Sequence, residues 1–137
     1  MNGNDNIVRV ILDGYPAAQA IYLYGSYGTA DEWPDSDVDI AVLLPPDTAK
    51  QAAPLAFSKV RTALVQLLGK DVELINLRLA STVFQKEIIM AERRIFCADL
   101  YAADEFEMLV LSFYQELNQN RQEILEAFWK TRRAYPV

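Results

Sequence analysis

Residues 24–44, YGSYGTADEWPDSDVDIAVLL, decide how this chain reads. The apolar run Ala20-Ile21-Tyr22-Leu23-Tyr24 leads into them and is cut off by the pair Gly25-Ser26. Ten residues separate Ser26 from Asp37. Asp37 and Asp39 flank Val38, and a second apolar run, Ile40-Ala41-Val42-Leu43-Leu44, follows at once. Two such runs split by Gly, Pro and Asp predict two strands joined by a loop. Side chains alternate along a strand, so Asp37 and Asp39 should project from one face. Adjacent carboxylates repel, and the pair is costly unless a cation lies between them. Oxygen ligands suit a hard ion, and Mg²⁺ commonly takes one or two carboxylates together with substrate phosphates. The Gly25-Ser26 turn can offer backbone N–H groups and a hydroxyl to phosphate oxygens. One short stretch thus combines a candidate metal site with a phosphate cradle.

Two plainer readings compete with this one. Acidic loops are usually solvated, and Asp31, Glu32 and Asp35 are expected to be so. Asp35, Asp37 and Asp39 also match the first ligands of an EF-hand loop, but that pattern then requires Gly where Ile40 stands and Glu where Pro46 stands. The EF-hand is excluded.

A chain of 137 residues fits one domain. Its hydrophobic share of 52% and charged share of 23% are those of a globular protein. No apolar run reaches the ~18 residues that a membrane span needs. The start, MNGNDNIVRV, lacks the basic and apolar segments of a signal peptide. The one cysteine, Cys97, lies in an apolar run and is expected to be a buried thiol. These features fit the cytoplasm, the expected location. The net charge of −6 argues against direct duplex DNA binding, which needs a basic face. There is no histidine, so Ser-His-Asp and Cys-His sites and any imidazole base are excluded. Catalysis would rest on carboxylates, hydroxyls, amines or metal ions.

Asn4 or Asp5 can cap a first helix with Ile7, Val10 and Ile11 on one stripe, ended by Asp13-Gly14-Tyr15-Pro16. The first strand covers about 20–24, and Gly28-Thr29 should open a short helical turn facing the phosphate site. Trp33 is a loop anchor or a base-stacking surface. The second strand covers about 37–44. A helix capped by Asp47 or Thr48 should run to Leu68, interrupted near Pro54, with Gly69 as its C-cap and Leu64, Leu67 and Leu68 facing the core. A third strand covers 72–77, Ser81 caps a helix to Met90, and a last strand covers 93–97. From about 102 to 130 a helix recurs at three- and four-residue steps. At ~1.5 Å per residue it outruns a domain this small, so it either projects or breaks near Asn118-Gln119-Asn120. The aromatic and basic tail from Phe128 to Tyr135 suits an acidic partner or solvated helix-end charges.

Gly-Ser, a gap of ten residues and Asp-x-Asp resemble the signature of the DNA polymerase beta-like nucleotidyltransferases. The short length resembles the minimal nucleotidyltransferases (MNT), partners of HEPT toxins. The resemblance implies an α+β fold, a small mixed sheet flanked by helices. Residues 1–100 would form the core, and the C-terminal helix, 101–137, would extend toward a partner. It also implies a third carboxylate on the neighbouring strand. Val72-Glu73-Leu74-Ile75 matches that pattern, with Asp71 competing. Asp37, Asp39 and Glu73 would then hold Mg²⁺ or Mn²⁺ and carry catalysis, and Gly25 and Ser26 would bind the triphosphate of ATP. Arg61, Lys59 or Lys70 could neutralise pyrophosphate; the spacing selects none. The chain has no evident acceptor domain, so a HEPT-type RNase toxin would present a hydroxyl, a tyrosine by expectation, for AMP. A small-molecule nucleotidyltransferase completed by homodimerisation and a non-catalytic antitoxin that acts by binding are the alternatives.

Overall fold

Two central strands carry apolar residues on both faces, which obliges both faces to be covered. In the computed structural model, which describes residues 3–52, 54–55 and 58–134, strands β1 (Ala20–Tyr24), β2 (Val38–Leu43), β3 (Val72–Asn76) and β4 (Arg94–Cys97) form a sheet of order β3-β2-β1-β4. β1 pairs antiparallel with β2 and β4, while β2 and β3 run parallel. The sheet is mixed, as expected. On one face α1 (Gly3–Gly14) and α3 (Lys59–Leu68) bury Ile7, Ile11, Val60 and Leu64 against Ile21, Leu23, Ile40 and Val42. On the other, α4 (Thr82–Met90) and the start of α5 (Leu100–Ala134) pack Ile88, Ala103, Phe106 and Val110 on Tyr22, Tyr24, Ala41 and Leu43.

Local chemistry sets several of the helix ends. The Ser58 hydroxyl accepts from Arg61 N–H at 3.2 Å and begins α3, and Gly69, at φ +65°, closes it. Ser81 does the same for α4 through Phe84 N–H, 3.2 Å. Asp99 caps α5, accepting from Ala102 N–H at 3.0 Å. Asn4 and Asp5, by contrast, fall inside the first turn of α1 rather than at its cap. The segment after Pro45 forms α2 (Pro46–Gln51), so the expected interruption before Pro54 occurs. Residues 53, 56 and 57 lie outside the described residues. Leu67 is 44% exposed, against expectation, because the packed stripe of α3 is centred on Leu64. Cys97 is a free thiol and only half-buried, since β4 is an edge strand.

Helix α5 runs through Asn118-Gln119-Asn120 without a break, and its 35 residues extend ~52 Å. Its first turns are held by Arg94, which pairs with Glu107 at 2.6 Å and Asp104 at 3.1 Å, while the Tyr22 hydroxyl donates to Glu107 at 2.9 Å. Beyond Val110 none of its described side chains is buried. Phe113, Ile124 and Phe128 are 56%, 68% and 52% exposed. Among the described residues no helix is long and apolar enough to cross a membrane. The side chains of residues 131–134 and all of residues 135–137, part of the basic aromatic tail, lie outside the described residues.

Candidate active site

The site lies where β1 and β2 meet, at the C-terminal end of β1 and the N-terminal end of β2. Tyr24 stands opposite Asp39 across the antiparallel pair, and Asp39 stands beside Glu73 across the parallel pair. Alternation decides the faces. Val38, Ile40 and Val42 point into the α1/α3 layer, so Asp39 shares its face with Ala41 and Leu43. Val72 and Leu74 likewise point to the α1/α3 layer, which leaves Glu73 on the face of Asp39. The sheet therefore brings Glu73 alongside Asp39. Asp71 precedes β3, and its carbonyl accepts from Val38 N–H at 2.9 Å.

Asp39 is half-buried, whereas Asp37 and Glu73 are exposed. Asp37 falls just before β2 rather than within it. Burial, then the Glu73 carboxyl against it, then the charges of Glu73 and Asp37, push Asp39 from an ordinary 3.8 up to about 6. Burial, followed by the charges of Glu73 and Asp39, also raises the Tyr24 hydroxyl. Among the described residues that buried hydroxyl has no hydrogen bond of good geometry, the Glu73 carboxyl being the group nearest to serving as its partner. Among the described residues no three His, Cys, Asp or Glu side chains form a ready-made metal cage. Oxygen donors and carboxylate repulsion nevertheless suit a hard cation completed by ligands from a substrate.

Gly25 follows Tyr24 with φ +72°, and a Cβ there would meet Asp39 Oδ2 at 2.1 Å. Only glycine lets the turn close so tightly on the carboxylate. Ser26 Oγ donates to the buried Ser36 Oγ at 3.2 Å, and Trp33 N–H donates to the same oxygen at 2.8 Å. Trp33 is thus tied through its backbone while its side chain is 67% exposed, which does not fit an anchoring ring. Two successive turns, Thr29 N–H to Ser26 and Glu32 N–H to Thr29, replace the short helix expected at Gly28-Thr29. Arg93 braces this loop from across the fold, donating to the Gly25 carbonyl at 2.8 Å and to the Tyr27 carbonyl. Sequence reasoning did not find Arg93; its role depends on a contact 68 residues away. Glu32 is not simply solvated. It accepts from Gly28 N–H at 2.6 Å and from Lys70 at 3.2 Å, and these contacts hold its carboxyl below the usual range.

Of the three candidate cations, Arg61 is engaged with the Val72 carbonyl at 2.8 Å, and Lys59 is exposed. Lys70 lines a cleft of about 610 Å³ with Ser36, Asp37, Asp71 and Val65.

A glycine-tight turn against a strand carboxylate, with a second acid in register beside it on a mixed sheet, suits the binding of phosphate and a divalent cation. The chain belongs to the polymerase beta nucleotidyltransferase family, whose model matches residues 6–101. It is 34% identical over 125 residues to the protein adenylyltransferase MntA of Shewanella oneidensis, covering 90% of this chain and 86% of that one. A crystal structure of a toxin–antitoxin with AMP-PNP contains a chain that superposes with TM-score 0.75 at 29% identity, over 92% of this chain and 98% of the other. A structure of a tri-AMPylated Shewanella oneidensis HEPN toxin in complex with MNT antitoxin matches with TM-score 0.70 at 29% identity, over 93% and 96%.

Proposed function

We propose that this protein transfers AMP from ATP to a hydroxyl, by preference a tyrosine, of a cognate HEPT-type RNase toxin, and so acts as its antitoxin in the cytoplasm. The observation that carries the reading is the register Tyr24–Asp39–Glu73 beside the closed Gly25-Ser26 turn. The likeness to an adenylyltransferase and to chains of toxin complexes supplies the acceptor class.

In this reading Gly25 lets the backbone approach the triphosphate and Ser26 Oγ leaves Ser36 to donate to it. Arg93 holds the turn's carbonyls in place, so the cradle needs little rearrangement on binding. Asp37, Asp39 and Glu73 would hold Mg²⁺ or Mn²⁺, which when bound neutralises the phosphates and acidifies the acceptor hydroxyl. Asp39, close to half-protonated near pH 6 without a cation, must give up its proton to serve as a ligand. Glu73, exposed beside it, would also take the acceptor's proton, directly or through water. The acceptor oxygen then attacks the α-phosphorus in line, the bond to the β-phosphate oxygen breaks and pyrophosphate leaves. The C-terminal helix α5 would extend the core toward the partner, with its exposed Phe113, Leu117, Ile124 and Phe128 as the docking face.

Intact-mass spectrometry of the toxin after co-expression tests this. Each AMP adds about 329 Da and a phosphodiester charge that opposes RNA phosphate binding. Neutralisation should outlast dissociation of the complex and should require Ser26 and the three acids. A toxin silenced only while bound, at unmodified mass, overturns the enzymatic reading and leaves a binding inhibitor.

A further inference from the structure

The Gly25–Ser26 loop holds an anion of its own. The Glu32 carboxylate spans the Gly28 N–H (2.6 Å) and the Lys70 ammonium (3.2 Å), two hydrogen-bond donors 42 residues apart in sequence that no other acid of the described loop reaches. Gly28 sits at φ +77°, a backbone conformation that exposes its N–H to an anion at little cost. Lys70 is the one cation lining the 610 Å³ cleft beside Ser36 and Asp37 among the described residues. Its other contacts are weak: the Trp33 carbonyl at 3.5 Å and the Tyr27 ring at 5.8 Å. The nearby guanidinium groups are committed elsewhere, Arg93 to the Gly25 and Tyr27 carbonyls and Arg61 to Val72.

We propose that Glu32 is an internal stand-in for a phosphate group of the nucleotide: it engages the Gly28 N–H and Lys70, and an incoming triphosphate displaces it and takes both. This rests on the nucleotide site proposed above and assigns Lys70 as its triphosphate-binding cation. Glu32 is therefore a brake on nucleotide affinity. The pair is accessible, with side chains 32% and 22% exposed, so exchange of one anion for another requires no opening of the core. A carboxylate brings one negative charge to these donors, whereas a triphosphate brings more charge and more acceptor oxygens, so the exchange runs toward the nucleotide. Between nucleotides the loop keeps its shape because Glu32 satisfies the donors.

Calorimetric titration of the full chain with AMP-PNP and Mg²⁺, and separately with AMP, tests it. Glu32→Gln frees Lys70 and keeps an acceptor for Gly28, and Glu32→Ala frees both. Each should tighten AMP-PNP about two- to fivefold, the range set by an accessible ion pair. Lys70→Gln should weaken AMP-PNP about tenfold, as expected for losing a charge-assisted hydrogen bond. In the Glu32→Gln/Lys70→Gln double variant the gain should vanish, because Glu32 competes chiefly through Lys70. AMP should be nearly unaffected by any of them. If Glu32→Gln and Glu32→Ala leave AMP-PNP binding unchanged or weaken it while the parent chain binds normally, Glu32 is a loop brace and the proposal falls. If the parent chain binds no AMP-PNP with Mg²⁺, the nucleotidyl-transfer reading fails first and takes this proposal with it.

Discussion

Replacing Asp39 by Asn should stabilise the protein while destroying its chemistry. Asp39 is half-buried beside Glu73 and near Asp37, and Tyr24 faces it from β1, so its ionised form is unfavourable unless a cation is bound. Its carboxyl stands at about 6 instead of 3.8. At 1.36 kcal/mol per tenfold in proton affinity, that difference alone is about 3 kcal/mol. Much of the side chain reaches water, which screens these charges, so about 1 kcal/mol is the expected share. The sign follows from linkage. An acid whose pKa is raised by folding binds its proton better in the folded state. Stability is therefore full below about pH 3.8, falls as pH rises to about 6 and stays reduced above it. Asparagine resembles the protonated acid and can still donate to Glu73, so it escapes this loss. In chelator-treated protein, Asp39→Asn should raise Tm by about 3–5 °C at pH 7.5. The gain should shrink toward zero at pH 4. Thermal melts followed by circular dichroism across pH 4–8 provide the measurement. A variant no more stable than the parent at pH 7.5, or one with an equal gain at pH 4, would refute the carboxylate-repulsion account.

Three further outcomes are expected. Glu73→Gln should slow AMP transfer by about 10²–10⁴ with a much smaller change in AMP-PNP binding; an unaffected rate, with Asp71→Asn inactive instead, would move the role to Asp71. Gly25→Ala should cost about 1–2 kcal/mol for its positive φ and all but abolish transfer in a radiolabel assay, because its Cβ would press on Asp39 Oδ2; normal transfer would show that the turn does not need to close on the carboxylate. Removal of residues 119–137 should leave the melting temperature within about 2 °C, since among the described residues the last buried one of α5 is Val110, yet eliminate the toxin complex in size-exclusion chromatography; a retained complex would place the docking face elsewhere.

The sequence by itself determined the element order, both central strands, the cap at Ser81 and the Gly69 terminus, because each is written in residues a few positions apart; the cap at Ser58 emerged only in the structure, where Asp47 and Thr48 lie inside α2. The period of apolar residues marks which faces must be covered, and side-chain capping acts within one helical turn. The spacing from Gly25-Ser26 to Asp39 was legible for the same reason: one turn and one loop connect them. What tertiary structure alone decided depends on strand pairing. Glu73 and Asp71 share a parity, and only the parallel register of β2 with β3 sets Glu73, rather than Asp71, beside Asp39. The loop bindings of Arg93 and of Glu32 with Lys70 cross 66 to 68 and 38 residues, and no local pattern announces such pairs. Continuity of α5 past Asn118-Gln119-Asn120 was equally open in sequence. Helix propensities there differ by tenths of a kcal/mol per residue, too little to end a helix without a proline or a capping glycine. Local energies of that size choose among conformations of neighbouring residues, whereas the position of a charge in a site is set by the packing of the whole sheet, and that is absent until the chain has folded.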